Sequence, residues 1–228
     1  MRTVYFRSVV VGVALLALAG IATAQDKPSS LLNTLEVRQL VARAEPADSA
    51  RLSAHFSALA DRYTAEAKKH LLMSQSFVGN PNRNLGTGMS AHCKQLAALN
   101  TQSATTVREL AAYHEKLAAG TTATLPRDAS PFQGGAGAPE PTDKELNALA
   151  AKASTPAEHR ALAEYFVTLA KRYTAAVDEH VTLAQTYRGT KIAQASAIHD
   201  HLARLARDSA KEATAAAEMH KQLANVAR

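Results

Sequence analysis

Nine histidines and a single cysteine hold most of the coordination chemistry available to this 228-residue chain, and several of them recur at helical spacing. Met73 follows His70 by three residues, Met89 precedes His92 by three, and Cys93 comes next. On a helix, side chains three or four positions apart share a face. Two helices joined by a turn near residue 83 would set position 70 opposite about position 96, within a turn or so of His92 and Cys93. Thiolate, thioether and imidazole donors together favour copper, above all Cu(I), over hard cations. The first candidate site is therefore His70, Met73, Met89, His92 and Cys93.

A second turn near residue 189 would bring His180 opposite His199, with His201 close by. Here Leu183 stands where the first set has Met73 and Ala195 where it has Met89, so imidazole dominates and zinc, copper(II) or nickel suits it better. One good site and one weaker one are expected. The competing reading is that histidine on an apolar stripe is a packed core residue and methionine a filler of gaps. His114 and His220, near the ends of their helices, can be explained by a charge–dipole role. His55 and His159 lie level with them, so a second metal layer is a weaker expectation.

Other chemistries fit poorly. A di-iron bundle needs Glu-x-x-His on two helices plus two more glutamates, whereas Glu66 precedes His70 by four and Glu179 adjoins His180. Haem held by histidine and methionine ranks third, with the small residues Ala206, Ser209, Ala213 and Ala216 as its only room. Cys93 on a helix seam has no oxyanion loop, so a cysteine hydrolase is not expected. The chain reads as a non-enzyme.

The elements that position these residues come from an internal repeat. Residues 46–77 match 156–187 with 12 identities in 32, and 90–118 match 196–224 with 11 in 29. The repeat aligns His70 with His180, His114 with His220 and Cys93 with His199. Apolar residues recur in alternating steps of four and three: Leu52, Phe56, Leu59, Tyr63, then His70, Met73 and Phe77, mirrored by Leu162, Phe166, Leu169, Tyr173, His180, Leu183 and Tyr187. Such a stripe marks one buried helix face. Thr155-Pro156-Ala157-Glu158 is a capping box with proline at the first helical position, and Glu45-Pro46-Ala47-Asp48 is a weaker copy. Val78-Gly79-Asn80-Pro81 together with Gly86 and Gly88 is expected to break the first hairpin, and Arg188-Gly189-Thr190 the second.

The expected fold is all-α: two tandem long helical hairpins forming an antiparallel four-helix bundle, with a short helix before each, near Thr34 to Arg43 and Thr142 to Ala153. The division is a signal peptide at 1–24, hairpin repeat 1 at 25–118, a linker at 119–142 holding four Gly and four Pro, and hairpin repeat 2 at 143–228. The linker is long enough to leave the relative arrangement of the hairpins open.

Arg2 and Arg7, the apolar run Val9 to Ala19 and the small residues Ala22-Thr23-Ala24 read as a cleaved export signal, the apolar run being too short to span a membrane. The compartment expected is the periplasm or the exterior. Of the formal charge of +6, two units leave with Arg2 and Arg7, so 6 − 2 leaves +4 on the remaining chain. Lysine and arginine are scattered among acids, which argues against nucleic-acid binding. Alanine, 49 residues, and the absence of tryptophan imply thin, closely approaching helices rather than a β-rich interior. The leading function is sequestration or buffering of a soft metal, most of all copper. The rival is a structural or chaperone-like bundle that binds protein partners.

Overall fold

The computed structural model describes residues 31–80, 83–119 and 141–226, with the side chains of the middle segment described from position 88 onward. The expected export signal at 1–24 and nearly all of the linker lie outside the described residues. Among the described residues the fold is all-helical, with six helices: α1 Thr34–Arg43, α2 Pro46–Val78, α3 Arg83–Ala118, α4 Asp143–Lys152, α5 Pro156–Tyr187 and α6 Gln194–Val226.

Helix starts follow local chemistry. Thr155 accepts from the Glu158 backbone N–H while the Glu158 carboxylate reaches back to the Thr155 N–H, and Thr142 with Glu145 and Asn33 with Glu36 repeat the device on α4 and α1. Glu45, the weaker copy, makes no side-chain cap bond. The second turn closes through Gly189, whose φ of +83° a side chain would oppose.

The first turn departs from expectation. Gly86 and Gly88 do not break the hairpin, because α3 already starts at Arg83. Gly88 instead serves a close approach: a Cβ there would lie 3.0 Å from the Met219 Cε of α6.

Packing follows the stripes. α2 lies along α3 and α5 along α6, and α3 also meets α6. The buried stripe of α6 carries Ala206, Ser209, Ala213 and Ala216, all at most 5% exposed. α2 and α5 are further apart, and the short helices bridge them: α1 touches both α2 and α5, and so does α4. The first turn meets α4, where the Asn80 side-chain amide donates to the carbonyls of Ala150 and Ala153 at 3.1 and 3.2 Å. Two apolar clusters result, one around Leu52, Phe56, Leu110 and Tyr187, the other around Met73, Met89, Leu162 and Phe166. No helix among the described residues is long and apolar enough to cross a membrane.

Candidate functional site

Ser74 and Ser90, with hydroxyls 3.1 Å apart, fix the register of α2 against α3. That register puts position 70 level with about position 94, closer to Cys93 than a turn centred on 83 implied. His70 is 0% exposed and neither of its ring nitrogens has a hydrogen-bond partner. Its Nε2 lies 3.9 Å from Glu66 Oε2, an oxygen that is also buried and unpartnered, while Glu66 Oε1 accepts from Arg172 at 3.0 Å. Burial pushes the His70 imidazole down to about 4, against the opposing pull of Glu66, so the ring is neutral near pH 7.

Met73, Met89 and Cys93 are each fully buried and belong to one apolar cluster with Phe77 and Leu96. Desolvation pushes the Cys93 thiol up to about 12, so without a cation beside it the sulfur keeps its proton. His92 turns elsewhere. Its Nδ1 pairs with Glu212 Oε1 on α6, and its side chain stays 21% exposed. The stripe thus holds His70, Met73, Met89 and Cys93 in the interior and leaves His92 on the α3–α6 flank.

In the second hairpin His180 does face His199, with Nδ1 to Nδ1 at 3.3 Å. Tyr63 Oη lies 3.4 Å from His180 Nε2, bringing the first hairpin to the same place. Burial lowers His180 to about 4 and His199 well below the ordinary range, with neighbouring imidazoles adding to both. His201 is half-buried and takes no part.

Three further pairings emerge. His159 Nδ1 lies 3.2 Å from His220 Nδ1. His114 Nε2 lies 2.9 Å from the Tyr187 hydroxyl, and His55 Nδ1 accepts the Leu32 N–H at 2.9 Å, which puts the His55 proton on Nε2. The charge–dipole explanation of His114 and His220 fails. They are 0% and 1% exposed, and desolvation lowers them to about 4 and about 3, so neither carries charge at neutral pH.

Each terminal histidine also obeys the repeat across hairpins. His114 stacks on Phe56 and meets Tyr187 of the other copy, and His220 stacks on Phe166 and meets Phe77 of the other copy. The meeting of His159 with His220 left one trace in the sequence. His159 to His180 and His199 to His220 are both steps of 21, so two antiparallel helices that bring one pair together bring the other together too.

Among the described residues no three of the His, Cys, Asp and Glu side chains converge as a ready metal cage. No protein-family model matches the chain, and no curated protein and no solved structure matches it.

Proposed function

We propose that the two hairpins form one antiparallel four-helix bundle, packed head to tail, whose interior binds a soft transition metal for sequestration or buffering, without enzymatic activity. The observation that carries this reading is His70, wholly buried with both ring nitrogens unpartnered. A buried polar atom left without a partner costs about 1–3 kcal/mol, and a ligand on that nitrogen would recover it. The register of α2 and α3 puts the sulfur donors of Met73, Met89 and Cys93 in the same stretch, a donor set suited to Cu(I). His92 would join by leaving Glu212, and His180 with His199 would form a secondary imidazole site. Binding at Cys93 displaces the thiol proton, so uptake releases acid. Export through residues 1–24 to the periplasm or the exterior goes with this proposal.

The test is anaerobic Cu(I) titration of the protein against a chromophoric chelator, with metal content measured on the same sample. The expectation is tight binding of at least one equivalent that is lost in the His70→Leu/Cys93→Ser double variant while the helical circular dichroism remains. Unchanged affinity in that variant would refute the site. A partner-binding bundle is the second reading, and the stacking of His114 on Phe56 together with its contact to the Tyr187 hydroxyl favours it, since that ring is already accounted for by packing. A melting temperature indifferent to copper, zinc and chelator would support that rival.

A further inference from the structure

The imidazole contacts of the second hairpin repeat in a way that packing alone does not require. His180 with His199 and His159 with His220 join the same two helices, use the same Nδ1 atoms, and stand at 3.3 and 3.2 Å. They lie 21 residues apart on each helix, three heptads or about 31 Å along the axis. Between them the same heptad positions hold Phe166 and Tyr173 on α5 and Ala206 and Ala213 on α6, large against small. Imidazole meets imidazole only at the two ends of the run.

Two nitrogens bound to one tetrahedral ion at 2.0–2.1 Å stand about 3.3–3.4 Å apart. Both pairs come within about 0.2 Å of that span before any ion is present. The end pair has further advantages. The His220 ring is held between Phe166, stacked with ring centres 5.8 Å apart, and Phe77 at 5.7 Å. His159 sits in the first turn of α5, next to the Glu158 carboxylate, whose charge favours a cation there.

We propose that His159 and His220 form a divalent-metal site of the zinc class, through Nδ1 of both rings, at the end of the assembly where α5 begins and α6 finishes. It is separate from the sulfur-lined stretch of the first hairpin and stands on its own geometry. Two imidazoles without thiolate suit zinc rather than Cu(I). No third His, Cys, Asp or Glu joins them among the described residues, so water completes the coordination and the ion exchanges readily.

The test uses the full chain with Zn2+ alone, read by histidine side-chain proton–nitrogen correlation spectra. Zinc is expected to shift the Nδ1 signals of His159 and His220 together in a saturable way. His220→Asn should weaken binding at this site by roughly tenfold or more, as loss of a direct ligand does at least as much as loss of its support. If that variant is not helical by circular dichroism, His159→Asn, in the first turn of α5, is read instead. A proton shared between the two Nδ1 atoms that persists at saturating zinc, or equal affinity in the variant, would overturn the site and leave a hydrogen-bonded pair. The first-hairpin reading fails separately: Cys93→Ser should leave zinc binding intact, and His220→Asn should leave Cu(I) binding intact.

Discussion

Lowering the pH from 7.5 to 5.5 is expected to remove most of the stability of this fold, because at the lower pH its core imidazoles stay neutral only while folded. His55, His70, His114 and His180 are lowered to about 4 and His220 to about 3, in each case first by desolvation. The folded value lies below the unfolded one near 6.5, so between about pH 4 and 6.5 the unfolded chain binds more protons. Stability from these groups is therefore present above pH 6.5 and is lost as the pH falls, levelling off near the folded values. From pH 7.5 to 5.5 the linkage relation gives a loss of about 1 kcal/mol per histidine, or roughly 5–7 kcal/mol for five. Total stabilities of about 5–15 kcal/mol make that decisive. Urea denaturation followed by circular dichroism, with chelator present to remove metal linkage, measures it directly. His70→Leu, at a position where the stripe calls for an apolar residue, should reduce the loss by about 1 kcal/mol. A wild-type loss below about 1.5 kcal/mol would refute the reasoning, since it would mean that the folded protein protonates these rings as readily as the unfolded chain.

Thr155→Ala should cost about 1 kcal/mol in the same assay by removing the cap of α5, whereas Glu45→Ala, at a position that caps nothing, should be nearly neutral. Ala213→Leu should cost about 1–3 kcal/mol, because this residue is 0% exposed in the core beside Phe166 and has no space for three more carbons.

Helix positions were legible because burial imposes a period. Leu52, Phe56, Met73 and Phe77, with Leu162, Phe166, Leu183 and Tyr187, are buried as the four-three rhythm required. Facing of His180 and His199 was legible too, since a short turn leaves one register for two long helices. The start of α3 was not, because glycine was read as a breaker when Gly88 is tolerated inside a helix for its closeness to Met219. The orientation of His92 was equally hidden. Its partner Glu212 belongs to the other hairpin, and the linker at 119–142 is too long to fix how the hairpins meet.

The repeat gives the proposed sites a common logic. Where hairpin 1 has Cys93, Met73 and Met89, hairpin 2 has His199, Leu183 and Ala195, so one scaffold carries sulfur donors in one copy and imidazole in the other. The duplicated framework of Phe56 with His114 and Phe166 with His220 stays fixed while these positions differ. At the one position where both copies keep a donor, Cys93 against His199, the ligand changes from thiolate to imidazole, and that softness, not the helix that presents it, would set the proposed preferences for Cu(I) and zinc apart. A purely packed core has no such reason to exchange cysteine for histidine and keep a coordinating atom both times.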